Sequence, residues 1–334
     1  MSRARRFWAN PYKLRLLGLG LRRLRERLGG SSAPAWMGRD LIRSLAVTGD
    51  LRRHFQTRPG PRFFFTAADL DRIIGATPVE AWAALVAQAR RQLLDRTFSF
   101  RGQPPLTLLP GWQVPATSDP EWLRDWHRLE WLAEGLLASY YDPAPELLTA
   151  AASALTHWWQ TYPPGSAPWQ DPFEVAQRAY TFIWLFFLGL AQPRWPETAL
   201  TTSLEVLLAH GLWLAARLEY QAPNNHLLLE ALRLAQVGLL FPEFPTAAAW
   251  RRRGRKIFRQ EVSRQILPDG FHAELSVFYH RLVLEALLEE ARLWQCQGCP
   301  PPPPLPQILP RLLWTLGCWQ RPDGTFPEVG DGFA

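Results

Sequence analysis

Two asparagines and a histidine, followed about fifty residues later by a glutamate, a tyrosine and a second histidine, are the residues here that could do proton chemistry together. Asn224, Asn225 and His226 open the apolar stretch "NNHLLLEALRLAQVGLLFPEF", and Glu274, Ser276, Tyr279 and His280 sit in "FHAELSVFYH". An amide and an imidazole can donate hydrogen bonds to a carboxylate, and a phenol can give or take a proton. Each residue alone has a plainer reading. Asn224 or Asn225 suits an N-cap, and His226 suits a satisfied histidine at a helix start. Tyr279 falls on a stripe with Leu275, Leu282 and Ala286 that fits a core. Only the joint spacing points to a site.

Helices must carry these residues. From residue 119 onward the chain reads as helix after helix, near 120–140, 145–161, 172–190, 197–219, 226–240, 247–267, 274–294 and 305–319. "DPEW" and "DPFE" each supply an aspartate cap followed by proline at the first helical position. The first, third, fifth and seventh helices are apolar nearly all round. The sixth is amphipathic, with Trp250, Ile257, Phe258, Val262 and Ile266 on one stripe and arginines opposite. An inner ring of apolar helices within an outer amphipathic ring predicts an all-α fold, an incomplete α/α toroid of antiparallel helix pairs with a short irregular C-terminal tail. The expected division is a basic arm with a helical or irregular region over 1–118, a toroid over 119–319, and a turn-rich segment over 320–334 that starts a β region.

Alternate helices in such a ring run parallel, so their N-termini share one face. That face gathers Asn224, Asn225, His226, Glu274 and Tyr279 with Trp126, Glu174 and Arg178 from the first two inner helices. Helix N-termini favour anions. Arg178 is a candidate for holding a second carboxylate, and Trp126 for stacking on a sugar ring. Asn224 and Glu274 are further candidate substrate contacts.

At 334 residues and 47% hydrophobic, the chain can bury a large core. The net charge of +7 is local: residues 1–30 carry nine basic side chains and one acidic, which leaves the remainder at −1. Nucleic-acid binding is therefore not expected. The leucine-interleaved arm reads as an amphipathic helix docked on the domain or touching an anionic membrane surface. Arginines opposite the apolar stripe in "RRRGRK" read as a solvated face, with contact to a polyanion as the alternative. Cys296 and Cys299 have C-x-x-C spacing but no second pair, and a structural zinc needs four ligands. The thiols read as structural, and neither metal nor cofactor is expected. No secretory signal and no uninterrupted apolar span is visible, which makes the cytoplasm the default expectation.

The same stretches carry a resemblance. "NNHLLLEALRLAQVGLLFPEF", the later "QEVSRQILPDGFHAELSVFYH" and "DGTFPEVGD", with the earlier "DPFEVAQRAYTFIW", resemble the heparinase II/III family of polysaccharide lyases over roughly residues 100–334. The resemblance implies β-elimination on uronic-acid-containing glycans of heparin, alginate or bacterial exopolysaccharide type, with the periplasm as an alternative location. Asn225 and His226 then match the pair that neutralises the uronate carboxylate, and Tyr279 the catalytic tyrosine. The family normally continues into a β-sandwich domain that supplies a further histidine. Since the chain stops at Ala334, the expectation is a truncated form, with a separately encoded β-sandwich as partner. The alternatives are a non-catalytic glycan-binding or exopolysaccharide-assembly module, and a glycoside hydrolase on a similar toroid. The hydrolase needs two carboxylates flanking the bond, for which Glu274 with Asp269 or Glu174 are the candidates.

Overall fold

A computed structural model describes residues 51–116, 119–221 and 224–330. The basic arm and the last four residues lie outside the described residues, and so does the expectation of membrane contact through that arm. Twelve α-helices account for nearly all regular structure among the described residues, beside one two-stranded hairpin.

Three helices precede the toroid proper: α1 (Leu51–Thr57), α2 (Ala67–Ala76) and α3 (Val79–Leu93). A hairpin of β1 (Thr97–Phe98) and β2 (Leu106–Thr107) follows, pairing Thr97 with Thr107 and Phe98 with Leu106. Then come α4 (Pro120–Arg128), α5 (Glu130–Tyr141), α6 (Pro145–Thr161), α7 (Pro172–Ala191) and α8 (Glu197–Arg217). The last four are α9 (Asn225–Leu240), α10 (Ala247–Gln265), α11 (Val277–Cys296) and α12 (Leu305–Trp319). Of these, α8 is long and apolar enough to cross a membrane by length and composition alone; 56% of its apolar window is buried.

The inner ring is α5, α7, α9 and α11, each packed on the next, while α6, α8 and α10 back it. In α9 every residue but His226 is buried, as an all-round apolar helix requires. One continuous core runs from Leu51 to Leu312, so the described part of 51–118 shares the toroid's interior. The α9–α10 seam is a backbone-to-backbone contact. A Cβ added at Gly254 would stand 2.5 Å from the Ala231 carbonyl oxygen and 2.7 Å from the Ala235 nitrogen. Gly238 meets α10 with similar closeness.

Two boundaries differ from the sequence reading. The helix expected over 120–140 is broken at Leu129, which adopts φ 61° and ψ 21°. The break frees the Trp126 carbonyl, and the Trp131 indole donates to it at 3.1 Å while its ring stacks on Trp126 with centroids 4.7 Å apart. The helix expected from 274 begins at Val277, because Ser276 is the cap and accepts from the Tyr279 nitrogen at 3.3 Å. Glu274 therefore lies before the helix, ahead of Leu275 at φ 54°. The tail over 320–330 folds back onto this start, where the Val277 nitrogen donates to the Val329 carbonyl at 3.2 Å.

Candidate active site

The N-termini of α4, α7, α9 and α11 open on one cleft of about 800 Å³. Asp119 and Asp171 fix two of those termini. Each caps its helix through one carboxylate oxygen, accepting from Glu121 and Trp122 nitrogens (2.8 and 3.2 Å) and from Phe173 and Glu174 nitrogens (2.9 and 3.3 Å). Asn224 caps α9, its side-chain oxygen accepting from the His226 nitrogen at 3.1 Å.

His226 and Tyr279 both line the cleft. The His226 ring stacks on Phe173, with centroids 4.2 Å apart and planes 19° from parallel. Its Nδ1 lies 3.1 Å from a Glu219 carboxylate oxygen. An ionised carboxylate only accepts, so Nδ1–H is the donor. In the neutral ring Nε2 is then bare, and in the protonated ring it carries an N–H. Behind Glu219 lies Glu230, fully buried; burial, with the Glu219 carboxylate adding to it, pushes its carboxyl up to about 9.

Asn225 is placed differently from its neighbour. It is 1% exposed, and both its backbone nitrogen and its Nδ2 donate to one Glu274 oxygen at 2.8 Å. Its own Oδ1 is buried without a protein partner. Asn225 and Glu274 together tie the start of α9 to the segment leading into α11. His272 backs that tie: it is buried, takes a hydrogen bond from the Glu274 nitrogen at 3.4 Å, and bonds Gln265 at 3.0 Å. Burial draws its pKa down to about 4, against the raising effect of Glu274.

Two expected substrate contacts are corrected. Arg178 is wholly buried, and its guanidinium donates to His210 Nε2 (3.1 Å), the His127 carbonyl (3.1 Å) and the Pro168 carbonyl (2.9 Å). It also lies over the Trp158 and Trp169 rings. Burial lowers its pKa to about 9. Wholly buried and bonded through all three of its nitrogens, it braces the inner ring. Trp126 is 1% exposed within a cluster of Phe98, Trp122 and Trp131, so no sugar can stack on it.

The cations that do reach the cleft are Arg101, Arg124 and Arg128. Arg128 forms a two-pronged pair with Glu174 at 2.8 and 2.7 Å, Arg101 holds Asp125 at 2.7 and 3.0 Å, and Arg124 pairs with Glu121. The signal for two of them was in the sequence: Arg124 and Arg128 are four apart on a capped helix, so both fall on one face. Arg101 arrives from the hairpin loop, which no helical period could place.

A family profile described as "Heparinase II/III N-terminus" matches residues 109–332. A heparin-sulfate lyase of Bacteroides stercoris is 38% identical over 109 residues, 33% of this chain and 16% of that protein. A heparin-sulfate lyase of Pedobacter heparinus is 26% identical over 183 residues, 53% of this chain and 28% of that protein. Among solved structures, a heparinase III superposes with a TM-score of 0.67 at 19% identity, covering 87% of this chain and 47% of that one. The heparan sulfate lyase structure from Pedobacter heparinus gives a TM-score of 0.62 at 19% identity, with the same coverage of 87% and 47%. This chain thus spans about half the length of the solved structures it resembles, and less of the curated relatives.

Proposed function

The chain belongs to the heparinase II/III N-terminus family, and on that premise we propose that its cleft binds a uronic-acid-containing glycan and cleaves it by β-elimination. The observation that carries this reading is the convergence of His226, Tyr279 and three arginines on one cleft. Loss of the C5 proton is slow because the adjacent carboxylate resists a second negative charge. A donor to that carboxylate stabilises the enolate-like transition state. Protonated His226, held by Glu219 and Phe173, can supply it. Tyr279 can take the C5 proton and return one to the leaving glycosidic oxygen, which balances the elimination. Arg101, Arg124 and Arg128 would hold the charges of flanking sugars. Asn225 would join the donor set on this reading through its second Nδ2 hydrogen, the first being held by Glu274.

The hydrolase reading is less well supported. Glu174 is paired to Arg128, Glu274 serves Asn225, and Asp269 caps the turn before Phe271. Of the three, Glu174 alone is among the residues lining the cleft, whereas inversion or retention needs two carboxylates flanking the bond.

The test is incubation with heparan sulfate, alginate and other uronate polymers, following ultraviolet absorbance of the C4–C5 double bond. Tyr279→Phe should lower the rate at least about a hundredfold with an unchanged melting temperature. New reducing ends without absorbance would indicate hydrolysis. Glycan binding with neither signal would indicate a non-catalytic module.

A further inference from the structure

A second groove, of about 890 Å³, lies between α10, the end of α11 and the Pro302–Pro304 turn. Arg252, Arg255, Lys256 and Arg259 are at i, i+3, i+4 and i+7, so they form one stripe along about 10 Å of helix. Among the described residues, none of the four has a carboxylate within 4.0 Å. Other α10 arginines do find partners: Arg264 pairs with Glu261, and Arg253 donates to the Tyr220 hydroxyl at 3.1 Å and to the Ala215 carbonyl. The groove's one acid, Glu290, is on the floor and 2% exposed, with its two oxygens taken by Trp294 Nε1 (2.9 Å) and Gln236 Nε2 (3.1 Å). That bond also fixes the plane of the Trp294 ring, over which Arg255 lies at 4.1 Å.

Like charges four apart on a helix repel, and Arg255 is held below its ordinary value by burial, with Arg251 adding to the effect against the raising influence of Glu290. An anion seated along the stripe would relieve this repulsion. The tryptophan ring carries Arg255 on its face, and Pro302, Pro303 and Pro304 add apolar surface to the same groove, which suits a chain that alternates anionic groups with sugar-ring faces. The groove is separate from the cleft, because Trp294 is fifteen residues along α11 from Tyr279, about 22 Å along its axis.

We infer that this groove is a second binding site, for a remote stretch of the anionic glycan chain whose reaction is assigned to the cleft. The reading of the cleft supplies the ligand class, whereas the groove's existence as an anion site stands on its own geometry. The test uses the full chain in a Tyr279→Phe background, with fluorescein-labelled heparin oligosaccharide and fluorescence anisotropy. Arg252→Gln/Lys256→Gln/Arg259→Gln, all at exposed positions, should weaken binding about tenfold at moderate salt. In the Tyr279-containing chain, the same triple variant should leave cleavage of a short oligosaccharide unchanged. Unchanged heparin affinity in the triple variant overturns the site. Equally tight binding of single-stranded DNA or phosphatidylserine vesicles through the same residues overturns its assignment to glycan. Loss of heparin binding in a protein that cleaves no uronate polymer would leave the groove standing while the lyase reading falls.

Discussion

At the scale of single residues, Arg178 and His226 show what a pattern can and cannot reveal. The polar cluster at the mouth of α9 was legible, because an apolar helix needs one cap and Asn224 is that cap; His226 is the surplus that faces the cleft. Arg178 looked equally suited to a ligand, since charge and helix position were all that could be read. Its actual partners, the His127 and Pro168 carbonyls, belong to segments brought near only by the fold. That bracing role makes a prediction. Arg178→Lys cannot span the three acceptors and should destabilise the protein by about 3 kcal/mol, measured by denaturant unfolding. An unchanged unfolding midpoint with weakened glycan binding would return Arg178 to the site.

At the scale of elements, caps and apolar period predict eight helices from 119 onward; the structure has nine among the described residues, because the first is split at Leu129, and the other ends fall close to those predicted. The two errors share a cause. Leu129 and Leu275 take up left-handed conformations, which a leucine gives no reason to expect. The first is fixed by tryptophan packing, and at the second Gly330 of the returning tail packs against the Leu275 carbonyl and Ser276 while the leucine side chain stays exposed, both tertiary effects. The short helices α1 and α2 follow no long repeat and gain their stability from the core they touch. The glycines divide by packing in a way that can be tested. Gly254→Ala should cost about 2–3 kcal/mol because α9 and α10 must part. Gly317→Ala, in α12 with nothing within 4 Å of the new methyl group, should gain up to about 1 kcal/mol from helix propensity. Equal effects in chemical denaturation would count against the seam.

At the scale of the whole molecule, the interior beside the cleft stores protonation states that water would not permit. Glu230 has an ordinary value of 4.5 and is pushed to about 9. Its contribution to stability is thus complete below about 4.5 and is lost as pH rises toward 9. Glu230→Gln keeps the neutral form's shape and does not titrate. Relative to the parent chain it should gain up to about 1.4 kcal/mol per pH unit between about pH 5 and 8. A pH-independent difference in unfolding free energy would refute the assignment. The α9–α10 seam has a consequence for how the mouth accommodates a guest. Main chain lodged against main chain has no rotamers to exchange, so the imidazole stands on a riveted post, facing arginines already clasped by carboxylates. Adjustment to an incoming polymer must come from trading those carboxylates for the polymer's own, and from the polymer itself.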